Sequence, residues 1–135
     1  MSSKKAPPAV EELHERLSVA IRNNGFSHGI HSVREDDRDI DSIFVSIPLD
    51  SLKRRHLSLD LMLTDVARLC AKPQFADVEV QIEIGVHDEE DARYMRSLIE
   101  PQVQRAANVK VLQVKEARNE LTITMTHGQG VAPRR

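Results

Sequence analysis

Every second residue from Val78 to Val86 is apolar: Val78, Val80, Ile82, Ile84 and Val86 alternate with Glu79, Gln81, Glu83 and Gly85. This period of two predicts a strand with one face in the core and the other in water. It argues against a doubly wound parallel sheet, whose strands are buried on both faces. The same alternation returns in Ile43, Val45 and Ile47, spaced by Ser42, Phe44 and Ser46. It returns again in Leu121, Ile123 and Met125, spaced by Thr122, Thr124 and Thr126. A looser alternation from Phe26 to Val33, then the polar run Arg34 to Asp39, suggests a weak strand and a turn leading into the Ile43 strand. Val109 to Lys115 and Leu121 to His127 flank Ala-Arg-Asn-Glu and read as a terminal hairpin.

Helical spacing governs the remaining segments. Val10, Leu13, Leu17, Ala20 and Ile21 fall on one helix face between Pro8 and Asn24, with Gly25 just past the end. Ala92, Met95, Leu98, Ile99, Val103 and Ala106 form a second stripe. Asp88 is its cap, Glu89 to Asp91 favour its N-terminal dipole, and Pro101 is expected to kink or restart it. From Leu49 to Ala71 the pattern fits two structures. Leu52, Leu59, Leu63, Val66 and Cys70 fit a helix capped by Asp50 and Ser51 and stopped at Lys72-Pro73, whereas Leu57, Leu59, Leu61 and Leu63 alternate. The helix is preferred because Leu favours it. The alternative is a strand at 56–63 followed by a short helix from Thr64.

The resulting order, αββαβαββ, predicts an α+β two-layer sandwich: a mostly antiparallel sheet of four to five strands with helices on one face. The strand-helix-strand unit from Val78 to Val114 makes it partly ferredoxin-like in topology, which carries no function by itself. A single domain is expected at 7–127, with flexible tails at 1–6 and 128–135.

Composition then narrows the class. The 135 residues are 40% hydrophobic and 30% charged, the balance of a folded domain rather than a disordered chain. Nineteen basic and 21 acidic residues leave a net charge of −2, so no overall field draws the protein to nucleic acid. Cys70 is the only cysteine, nothing at the start resembles a signal peptide, and no apolar run reaches the roughly 18 residues of a membrane span. A cytoplasmic protein without membrane contact is expected. Phe26, Phe44, Phe75 and Tyr94 are the whole aromatic set, so the core is aliphatic.

Candidate chemistry is sparse. Of six histidines, His28 and His31 share a Gly-containing segment and form the best alternative ligand site, in an enzyme or small-ligand binder with a pocket beside them. No cysteine pair or ligand spacing supports zinc. Asp37, Asp39 and Asp41 match the start of a calcium loop, but Ser42 and Pro48 stand where Gly and Glu are required. Cys70 lies on an apolar stripe and reads as a structural thiol. No nucleophile elbow, phosphate loop or dinucleotide fingerprint occurs. No catalytic residue, metal or cofactor is assigned. Lys53, Arg54, Arg55 and His56 form a basic run that could meet phosphate but is more simply a solvated face.

The surface is the remaining lead. Glu79, Gln81, Glu83, Lys110, Gln113, Thr122, Thr124 and Thr126 are expected on the wet face of the sheet, without the aromatics on which RNA bases stack. The strand Leu121 to Thr126 carries no charge and is therefore either central or covered by a partner. The expectation is a non-enzymatic protein-interaction domain: an adaptor, inhibitor, chaperone or small subunit. It self-associates, as a homodimer, through a sheet face or edge whose contact residues are Glu79, Gln81, Glu83, Thr122, Thr124 and Thr126.

Overall fold

The computed structural model describes residues 9–115 and 118–127, so both expected tails lie outside the described residues. Helix α1 (Ala9–Asn23) leads into the strands β1 (His28–Glu35) and β2 (Arg38–Ser46). Then come α2 (Leu49–Lys53), α3 (Leu57–Cys70) and a 3-10 turn (Pro73–Phe75). Strand β3 (Val78–Val86), helix α4 (Glu89–Val103) and the strands β4 (Val109–Lys115) and β5 (Glu120–His127) follow. The five strands form one mixed sheet in the order β1-β2-β5-β3-β4, with only β3 and β4 parallel. The helices cover one face, as the α+β sandwich reading requires. Among the described residues no helix is long and apolar enough to cross a membrane.

Register aligns the three alternating strands into one apolar floor. Ile43 pairs with Ile123 and Ile123 with Ile82, while Val45, Leu121 and Ile84 form the next row. All six side chains are fully buried. Helix α1 lies over β2 and β5, α4 lies over β3 and β4, and α3 packs between the two helices.

Two helix ends share one geometry. After α1 the Gly25 N–H donates to the Arg22 carbonyl at 2.8 Å and the Phe26 N–H to Ile21 at 3.1 Å, with Gly25 at φ +88°. This Schellman arrangement satisfies the last carbonyls and needs the left-handed conformation glycine adopts freely. After α2 the Arg55 N–H reaches Leu52 and the His56 N–H reaches Ser51, but the left-handed residue is Arg55, at φ 53°. The segment expected as a single helix is thus two helices meeting at a corner. The strand alternative at 56–63 does not form, because Leu59, Met62, Leu63, Val66, Ala67 and Cys70 share one buried helical stripe. Asp50 and Ser51 are not caps: Pro48 occupies the N-cap without a side-chain bond.

Other expectations are also corrected. Val109–Lys115 and the last strand do not form a hairpin, because β3 lies between them and pairs with both. Alternation assigned β5 a face, not a neighbour. Helix α4 runs through Pro101 to Val103 without restarting, since the proline falls in the last turn, and Ala106 lies beyond it. Asp88 does cap α4, accepting from the Glu90 N–H at 2.8 Å and the Asp91 N–H at 3.4 Å.

Candidate interaction surface

The open face of the sheet assembles the six residues expected there. Thr126 pairs with Glu79, Thr124 with Gln81 and Thr122 with Glu83, so acceptors and hydroxyls lie in adjacent columns at the centre of the sheet. Lys110 extends the row of Gln81 onto β4, and Ser42 extends it onto β2, where its hydroxyl lies 3.5 Å from that of Thr124. A shallow hollow of about 280 Å³ opens among Glu79, Gln81, Lys110, Asn108, Thr124 and Thr126. Gln113 is not on this face. It pairs with Ile84 and bonds Arg96 and Glu89 of α4 on the helical side. Phe44 is on the open face, opposite Thr122 and Gly29, so that face holds one aromatic ring.

Strand β5 is central, flanked by β2 and β3, which resolves the choice left by its uncharged sequence. Among the described residues the free edges are β1 and β4, and they differ. Strand β4 carries exposed Lys110 and Lys115, the residues that ordinarily discourage another strand from adding to an edge. Strand β1 contains neither lysine nor proline, and seven of its eight residues are exposed. Ile30 and Val33 are 55% and 41% accessible on opposite faces, although both are large and apolar.

The direction of the β1 backbone groups follows from the pairing. The turn at Asp36 and Asp37, both at positive φ, is a two-residue hairpin loop, which makes Glu35 and Arg38 a mutually hydrogen-bonded pair. At the other end the Ser46 N–H donates to the Ser27 carbonyl at 3.3 Å. Odd-numbered residues of β1 therefore turn their N–H and C=O groups toward β2. His28, Ile30, Ser32 and Arg34 turn theirs to the open edge.

His28 and His31 are three residues apart on this strand and consequently on opposite faces, so the structure does not bring them together. Burial, then the neighbouring Arg22 and His14, lower the pKa of His28. Neither imidazole lines the 280 Å³ hollow or the larger groove of about 590 Å³ between α1 and α3. Cys70 is fully buried, and desolvation pushes its thiol up to about 12.

The basic run has a structural partner that the sequence did not reveal. Lys53 Nζ lies 2.6 Å from one Asp91 oxygen and Arg55 Nη1 lies 2.7 Å from the other, with Asp91 only 3% exposed. Lys53 also reaches Asp88 at 3.1 Å; its bonds to Asp91 and Asp88 raise its pKa, and the bond from Lys53 with two backbone N–H groups lowers that of Asp88. The Arg55 guanidinium stacks 4.3 Å over the ring of Tyr94, whose hydroxyl donates to Asp60. Burial first, and that bond second, push the Tyr94 hydroxyl up to about 12. Arg54 pairs with Asp50 at 2.9 Å. These cations are already matched by carboxylates, which leaves little for phosphate.

Comparison with known protein families and with curated proteins finds no match to this chain. Its own surface is therefore the basis for a functional reading.

Proposed function

We propose that this protein is a non-enzymatic interaction domain that self-associates by strand addition at β1, joining the sheets of two copies into one. The carrying observation is the unguarded β1 edge: even-numbered residues direct free N–H and C=O groups outward, and no lysine or proline obstructs a second strand. Exposed Ile30 and Val33 supply apolar surface on both faces of the junction. In this reading the polar face of Glu79, Gln81, Glu83, Thr122, Thr124 and Thr126 remains available for a second, protein partner. The domain acts in the cytoplasm as an adaptor, inhibitor, chaperone or small subunit. The lone, buried Cys70 thiol suits a reducing compartment.

Ser32→Pro tests the edge. The Ser32 N–H points away from β2, so proline removes an outward donor without breaking the β1–β2 ladder, as edge positions permit. Light scattering should show a dimer for the parent, a monomer for Ser32→Pro and an unchanged dimer for Thr124→Lys, which alters the central open face. A parent that stays monomeric at high concentration would reject the reading. Loss of the dimer in Thr124→Lys alone would transfer the contact from the edge to the face.

A further inference from the structure

We infer that the strand added at β1 is β1 of a second copy, antiparallel, with His31 directly opposite His31 of the partner subunit. This inference rests on the self-association proposed above and specifies its register. In a symmetric antiparallel pair the numbers of facing residues have a constant sum. The sum must be even, because only the even-numbered residues have outward N–H and C=O groups, and these must meet one another. A strand spanning 28–35 then overlaps most fully at sums of 62 or 64.

The sum of 62 uses every outward group. His28 faces the partner's Arg34 and Ile30 faces the partner's Ser32, which with their symmetry mates gives four mutually bonded pairs. The sum of 64 leaves His28 opposite the turn residue Asp36, whose φ of 52° is not extended, and keeps three.

Side chains favour the same register. A β-carbon placed on Gly29 would meet nothing within 4 Å, so the open face has a gap there, bordered by Phe44 across the ladder. At a sum of 62 the partner's Val33 faces Gly29 and fills that gap. On the helical side Ile30 and the partner's Ile30 become diagonal neighbours, within reach across an antiparallel pair. Both exposed apolar side chains of β1 are then covered. At a sum of 64 Ile30 would instead face the partner's Arg34, which its own Asp39 already holds at 3.0 Å.

A cysteine scan reads the register directly, because the one native thiol is fully buried and does not compete. His31→Cys places two sulfurs across a close, non-hydrogen-bonded pair, about 4.5 Å between α-carbons and within disulfide range. Ser32→Cys would set its sulfurs face to face at a sum of 64 and Ile30→Cys at a sum of 60, in each case across a hydrogen-bonded pair with about 5.5 Å between α-carbons, also within disulfide range. Each purified full-length variant is oxidised with dilute diamide and followed on a non-reducing gel, with its mass measured beforehand under reduction. The expected result is a dimer in all three, and cross-linking of His31→Cys at least tenfold faster than of the other two. Dimers in which Ser32→Cys or Ile30→Cys links as fast or faster overturn the register while leaving self-association in place. Monomers throughout overturn both.

Discussion

Asp91 and Arg55 lie 36 residues apart in sequence, and their 2.7 Å ion pair fastens the α2–α3 corner to the first turn of α4. Arg55 holds this position from a left-handed backbone conformation, a site usually given to glycine. The side chain explains the choice. It bonds Asp91, donates to the Leu52 carbonyl at 2.8 Å and stacks on Tyr94.

Removing Arg55 should therefore cost more than an ordinary surface substitution. An uncompensated buried charge costs about 3 kcal/mol or more, and Lys53 remains beside Asp91 to share it, so Arg55→Met is expected to lose about 2 kcal/mol. Urea unfolding followed by circular dichroism measures this directly. A change below about 0.5 kcal/mol would show that the network is incidental.

The hairpin that presents β1 is open to improvement. Asp36 and Asp37 both adopt positive φ, at 52° and 63°, where Asp-Gly is a preferred pair for such a turn. Asp37→Gly should stabilise the protein by about 0.5 kcal/mol and raise Tm by about 2 °C. A lower Tm would mean that the Asp37 side chain contributes more than its backbone strain costs.

Cys70 reports opening of the core. Its thiol is buried beneath α3 and held protonated by desolvation, with a pKa pushed up to about 12 from an ordinary value of 9.0. Native protein at pH 8 should resist Ellman's reagent for as long as it stays folded, and labelling should follow global unfolding. Because the folded pKa is raised, the stabilising effect of the neutral thiol is complete below about pH 9 and disappears as pH rises toward 12. Cys70→Ala should flatten this alkaline loss of stability. Rapid labelling of native protein would contradict the burial.

The sequence shows which of these features are local and which are not. The alternation of Val78 to Val86, the Asp88 cap and the Gly25 stop each follow from a few neighbouring residues, and all three are present in the fold. The placement of β5 between β2 and β3 was hidden, because alternation specifies a face and is silent on neighbours. The Arg55 corner was masked by leucines that satisfy two periods at once. Asp91 read only as a first-turn acid suited to the helix dipole, because its cations, Lys53 and Arg55, come from α2 and the corner after it. The six open-face residues were legible for the same reason as the core, being its alternate positions. The β1 edge was not, although its signal was present: a strand whose apolar residues, Ile30 and Val33, fall on opposite faces has no single covered side.

Residue-resolved amide exchange tests the edge most directly. In dilute protein the amides of Ile30, Ser32 and Arg34 should exchange freely, whereas those of His31 and Val33, bonded to β2, are protected. At concentrations where the mass has doubled, the even-numbered amides should become protected as well, with the amides of β4 unchanged. A dimer whose Ile30, Ser32 and Arg34 amides still exchange freely would contradict strand addition at β1.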